Sequence, residues 1–120
     1  AMIVSGAEGL DELSIAGASY LATIGLPPLP AEIRPEDAGL PSHELEQLRG
    51  GDAAFNAAAL KRLLLGEAGA YRDAVLLNSA AALIVAGQAE DWFEGVEEAA
   101  EAIDKGLAKG LLDCWIETVK

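Results

Sequence analysis

The sequence predicts an α/β fold in which a few short strands precede a block of about five helices. Three features lead there. Short β-branched and aromatic segments are confined to the first third, all five prolines fall between residues 27 and 41, and helical apolar spacing runs from Ser42 onward.

Residues 2–4 read as a short strand stopping at Ser5-Gly6. The stretch that follows, to Leu13, carries Gly6 and Gly9 among the carboxylates of Glu8, Asp11 and Glu12, as befits a loop at a strand end. Residues 19–24 and 31–34 read as a second pair of strands. The prolines between remove backbone donors and block helix, so this region is a connector or an edge hairpin. Two or three short strands do not make a stable sheet alone, and nothing ahead of residues 2–4 is available to pair with them. The sheet is therefore expected to be incomplete and the chain to be a fragment.

Ser42 is the expected N-cap of a short helix through Leu48, ended by Gly50-Gly51. Asp52 caps the next helix, which runs to Gly66 and sets Asn56, Leu60, Leu63 and Leu64 on one face. The helix beginning near Ala70 is apolar nearly all round, which marks it as central. Residues 90–104 place Trp92, Val96, Ala99 and Ile103 on one stripe, with Glu94, Glu97, Glu98 and Glu101 around the rest. Gly106 and Gly110 punctuate the chain before a last stripe of Leu112, Trp115, Ile116 and Val119.

With 120 residues, 52% of them hydrophobic, there is room for one domain with a real core, and a disordered tail is excluded. Twenty acidic against 8 basic residues give a formal charge of -12, which repels a phosphate backbone and argues against a nucleic-acid partner. The longest apolar run, residues 74–86, is interrupted by Asn78 and Ser79 and falls short of the roughly 20 residues a bilayer crossing needs. The single Cys114 has no partner for an internal disulfide, and no basic leader precedes an apolar segment, so a reducing cytoplasm fits.

The feature that points to chemistry is Gly9-Leu10-Asp11-Glu12-Leu13, two adjacent carboxylates in a glycine-containing loop. On an extended backbone neighbouring side chains point to opposite sides, so the pair serves two ions, or one ion through water, better than one ion held by both. Mg²⁺ suits such a site, because it keeps several waters and takes one or two carboxylates plus substrate phosphates. The plainer alternative is that Asp11 caps a following turn and Glu12 is merely solvated. Asn56 and Asn78 are polar intruders on apolar helix faces, each expected to tie down a neighbouring loop. His43 is expected at the surface and Cys114 in the core. No P-loop, zinc spacing or dinucleotide fingerprint is present.

Taken together, these segments resemble the C-terminal region of anthranilate phosphoribosyltransferase over essentially the whole chain. Ile3-Val4-Ser5-Gly6 with Gly9-Leu10-Asp11-Glu12-Leu13-Ser14 looks like that family's strand and Mg²⁺-binding Asp-Glu loop. Arg34-Pro35-Glu36-Asp37-Ala38-Gly39-Leu40 and Leu48-Arg49-Gly50-Gly51-Asp52, with Asn56-Ala57 after it, continue the match. The most specific stretch is Leu65-Gly66 followed by Arg72-Asp73-Ala74-Val75-Leu76-Leu77-Asn78-Ser79-Ala80-Ala81-Ala82-Leu83. Gly95, Ala102-Ile103-Asp104, Gly106 and Leu111-Leu112 complete it. There are departures: Ser5 stands where the family commonly has histidine, and Gly25-Leu26-Pro27-Pro28-Leu29-Pro30 is richer in proline than a usual hairpin turn.

The resemblance implies that residues 1–120 are the C-terminal part of an α/β domain of the nucleoside phosphorylase/phosphoribosyltransferase type. The N-terminal helical domain and the half that bears the phosphate loop would lie upstream. It also implies a glycosyltransferase of tryptophan biosynthesis, in which phosphoribosyl pyrophosphate passes its phosphoribosyl group to anthranilate and releases pyrophosphate. Asp11 and Glu12 would bind Mg²⁺ as cofactor, no side chain here would act as nucleophile or base, the substrates would be bound mainly by upstream residues, and the intact enzyme would be a homodimer. This segment alone is expected to be inactive. An acidic helical interaction module without chemistry is the competing reading. A related non-biosynthetic member of the fold family, or a pyrimidine nucleoside phosphorylase, is the other, and the intact Leu10-Asp11-Glu12-Leu13 argues against both of these.

Overall fold

The computed structural model describes residues 1–120. Three antiparallel strands, β1 (Met2–Gly6), β2 (Ser19–Thr23) and β3 (Glu32–Ile33), lie in that order in one sheet. The register pairs Val4 with Leu21 and Gly6 with Ser19. Side chains alternate across a strand, so Met2 and Val4 turn toward the core while Ile3 and Ser5 face outward. β1 runs two residues beyond the expected stop because Ser5 and Gly6 still find partners in Tyr20 and Ser19. β3 keeps only two residues, since Pro30 and Pro35 flank it and can donate nothing to a ladder.

The prolines are expected to block helix throughout this stretch, yet it contains one 3₁₀ turn, at Pro35–Ala38. Proline at the first position costs nothing there, because that N–H has no partner in a helix in any case. Asp37 closes the turn by accepting the Arg34 N–H at 2.9 Å. Ser42, expected as an N-cap, instead donates its hydroxyl to Glu36, and the Gln47 side chain accepts the Glu44 N–H at 3.1 Å. The first of the five helical segments is therefore a second 3₁₀ turn, Leu45–Leu48, and the other four are α1 (Ala53–Leu64), α2 (Ala70–Val85), α3 (Trp92–Asp104) and α4 (Leu107–Thr118).

The helix starts follow the sequence closely. The Asp52 carboxylate accepts the Phe55 N–H at 2.8 Å, and Asp91 accepts that of Glu94 at 2.8 Å, each satisfying a donor that the first helical turn leaves unpaired. α2 is central: Ala74, Leu76, Leu77, Ala80 and Ile84 are all buried. It is not covered on every side, because Tyr71, Ala82 and Val85 remain exposed. The α3 stripe buries Trp92, Ala99 and Ile103 as its spacing requires. α4 runs straight through Gly110 and has no buried residue; Leu111, Trp115 and Val119 face solvent. Cys114 is exposed on the same helix, which corrects its placement in the core. No helix is long and apolar enough to cross a membrane.

Candidate functional site

Residues 7–18 connect β1 to β2 and carry Asp11 and Glu12 at their outer bend. The loop begins by folding back over the end of β1. The Gly6 N–H donates to the Leu10 carbonyl at 3.0 Å, and the Gly9 N–H to the Gly6 carbonyl at 3.1 Å. Gly9 takes φ +84°, a conformation other residues rarely adopt. At Gly6 a β-carbon would lie 3.0 Å from Leu10 Cβ and 3.3 Å from the Glu12 carbonyl oxygen, so the loop lies directly against the glycine.

The loop's far end is anchored in the core. Leu13, Ser14 and Ile15 are almost wholly buried. The Leu13 N–H donates to Asn78 Oδ1 at 2.9 Å, and Asn78 Nδ2 donates to the Leu13 carbonyl at 3.1 Å and to Ala74 O of its own helix at 3.0 Å. The Ser14 N–H donates to Ser19 Oγ at 2.8 Å. Ser14 in turn uses its hydroxyl to accept from Ala16 N–H and donate to Glu8. The His43 N–H donates to Ile15 O at 2.9 Å, while its Nε2 lies 2.6 Å from Asp73 Oδ2 on α2.

These bonds bear on the capping reading of Asp11. An aspartate that capped a following turn would accept from the N–H two or three residues on. Both of those donors, on Leu13 and Ser14, are already taken by Asn78 and Ser19. Asp11 is thus not a cap, and both it and Glu12 are exposed. They lie in a bend and not on extended backbone. A cleft of about 440 Å³ along α2 is lined by Glu12, Tyr71, Val75, Asn78, Ser79 and Ala82, but not by Asp11.

No group of three or more potential metal-ligating side chains converges anywhere in the chain. Two exposed carboxylates are a poor cage for a cation such as Ca²⁺ that takes about six to eight oxygen ligands. They do fit Mg²⁺, which completes its octahedron with water and substrate phosphate.

The remaining candidates fall as follows. Asn56 ties down its preceding loop, accepting from Gly51 N–H at 2.9 Å and donating to Gly51 O at 3.0 Å, as its position on α1 suggested. Asn78 does the same for the carboxylate loop. His43, expected at the surface, is half-buried and paired with Asp73, the two side chains being 18% and 16% exposed. Nothing local in the sequence signals that pair, whose members are thirty residues apart. A second cleft, of about 410 Å³, lies at the N-terminus of α2 and does not reach Asp11 or Glu12. Two of its arginines are engaged, Arg62 with Glu67 and Arg72 with Asp104.

Residues 1–109 match the family described as glycosyl transferase family, a/b domain. The chain is 59% identical over 119 residues to the anthranilate phosphoribosyltransferase of Novosphingobium aromaticivorans, covering 98% of this chain and 36% of that protein. It is 61% identical over 119 residues to the enzyme of the same name from Sphingopyxis alaskensis, with 95% and 35% covered. Among solved structures, the anthranilate phosphoribosyltransferase of Thermus thermophilus superposes with a TM-score of 0.87 at 37% identity, over 97% of this chain and 34% of that one. That of Saccharomyces cerevisiae, in complex with PRPP and Mg, gives 0.85 at 31% identity, over 98% and 34%. The chain thus spans about a third of the length of the relatives it matches.

Proposed function

The chain belongs to the glycosyl transferase family, a/b domain, and from that premise we propose that it is part of an anthranilate phosphoribosyltransferase, to which it contributes a Mg²⁺-binding Asp11–Glu12 loop. The observation that carries this reading is the loop itself: a pair of exposed carboxylates on a segment held rigidly from behind, with the donors that would have made Asp11 a cap used by Asn78 and Ser19. Relatives of the same name at about 60% identity favour it over the acidic interaction module.

In the reaction, the bond from the ribosyl C1 to pyrophosphate breaks, the anthranilate nitrogen bonds to C1, and the proton that the amine loses passes to solvent. A bound Mg²⁺ supplies neutralising charge to the departing diphosphate. Asp11 and Glu12 are the residues that would hold it. The role of this chain's residues is placement: Gly6 and Gly9 wind the loop, and Asn78 and Ser19 fix its descending arm. No side-chain nucleophile is required, in keeping with an exposed lone cysteine and a histidine committed to Asp73. The remaining two thirds of the enzyme supply the phosphate loop and the anthranilate contacts, and we place the assembled homodimer in the cytoplasm.

The test is complementation. The chain is mixed with a separately produced upstream portion, and transfer is followed by the loss of anthranilate fluorescence. The mixture is expected to turn over where neither part does alone. A cooperatively folded chain that binds the upstream portion and yields no transfer would contradict the assignment.

A further inference from the structure

We infer that Asn78 is a positioning residue for the metal loop, so that the Mg²⁺ requirement of the enzyme is set in part by helix α2; this rests on the proposed role of Asp11 and Glu12. Leu13 is the residue directly after Glu12, and Asn78 satisfies both of its backbone groups, accepting from its N–H at 2.9 Å and donating to its carbonyl at 3.1 Å. The second Nδ2 proton goes to Ala74 O at 3.0 Å, which locks the amide to its own helix.

An amide that merely satisfied itself in the core could use any loop group within reach. This one frames a single residue from both ends, one peptide bond away from a carboxylate. Only a side chain with an acceptor and two donors in a plane makes all three bonds; aspartate lacks the donors and alanine all three groups. Nearby, Asp73 reaches the same segment through His43, whose N–H holds Ile15 O at 2.9 Å. Two residues of α2 therefore fix the arm running from Leu13 to Ile15. The loop tip stands on that arm. Partners hydrogen-bonded to a metal ligand itself are worth about 10–100-fold in affinity, and Asn78, which acts one residue removed from Glu12, is expected at the low end of that range.

The experiment is a Mg²⁺ titration of turnover in the complete enzyme carrying Asn78→Ala or Asn78→Ser, with both substrates saturating. The serine variant adds no charge and can still donate to the Ala74 carbonyl of its own helix while losing the two bonds to Leu13, and carries the test if the alanine variant does not fold. Half-saturating Mg²⁺ is expected to rise about tenfold, with turnover largely recovered at high Mg²⁺ and the KM for anthranilate unchanged. A lowered thermal midpoint with an unchanged Mg²⁺ requirement would reduce Asn78 to a structural amide and overturn the inference. Asp11→Asn is measured in parallel. A shift there with none in the Asn78 variants overturns the positioning role alone, whereas no shift in Asp11→Asn overturns the metal reading itself.

Discussion

Gly95 of α3 lies so close to Ala80 of α2 that a β-carbon on the glycine would stand 2.7 Å from Ala80 Cβ and 2.9 Å from its Cα. The contact sits in the buried seam between the two helices, where Ala80 is fully buried and Ala99 and Ile103 line the facing stripe. Packing at this distance leaves nothing flexible to give way, so the helices themselves must move apart. Gly95→Ala is expected to destabilise the fold by about 1–3 kcal/mol, the usual range for an overpacked core. Because the backbone of Ala80 lies two residues from Asn78, the same change should loosen the grip on Leu13. Chemical denaturation checks the first expectation, and faster hydrogen exchange at the Leu13 amide checks the second.

Arg72 on α2 and Asp104 at the end of α3 form a two-bond pair at 2.8 and 2.9 Å. The hydrogen bond from Arg72 holds the Asp104 carboxyl below its ordinary value, outweighing the opposing effect of desolvation. A folded value below the unfolded one means that the stabilisation is fully present above the unfolded value, about pH 4, and is lost as pH falls through the folded value. Arg72→Gln should therefore lower the thermal midpoint at pH 7, with the two proteins converging below about pH 4. The effect is modest, since Asp104 is exposed to solvent and salt. A gap that persists unchanged at low pH would assign it to packing of the Arg72 stem.

For residues 1–120 alone, calorimetry should give Mg²⁺ binding no tighter than the millimolar range, about -4 kcal/mol. Two carboxylates without diphosphate leave most of the coordination shell to water. Micromolar affinity would mean that a complete site already exists within these residues.

Local chemistry made much of this molecule legible. Asp52 and the spacing of Trp92, Ala99 and Ile103 announced their roles because a cap and a stripe are set by neighbours within a turn or two. Asn78 was readable as a loop anchor because it interrupts an apolar face, although the loop it holds lies 65 residues away. What escaped had no local signature. His43 is drawn inward by Asp73, thirty residues on, and Ser42 gives up a cap for Glu36 across a turn. Cys114 shares α4 with Leu111, Trp115 and Ile116, an apolar pattern that reads as core yet remains exposed. Asp11 and Glu12 were conspicuous by type and position. That Asp11 is not a cap became visible only when the partners of Leu13 and Ser14 were known.

On the proposed reading, Asp11 and Glu12 serve the metal and not the fold. The most direct measurement is turnover of the complete enzyme as a function of Mg²⁺, with Asp11→Asn and Glu12→Gln beside the parent and thermal midpoints recorded for all three. Neither carboxylate is buried, so the midpoints should hardly move, typically within about 0.5 kcal/mol of stability for exposed sites. Turnover should fall by at least about tenfold in each variant, as loss of a charge aimed at metal and diphosphate implies. Full activity in both variants at the parent's Mg²⁺ requirement would contradict the assignment.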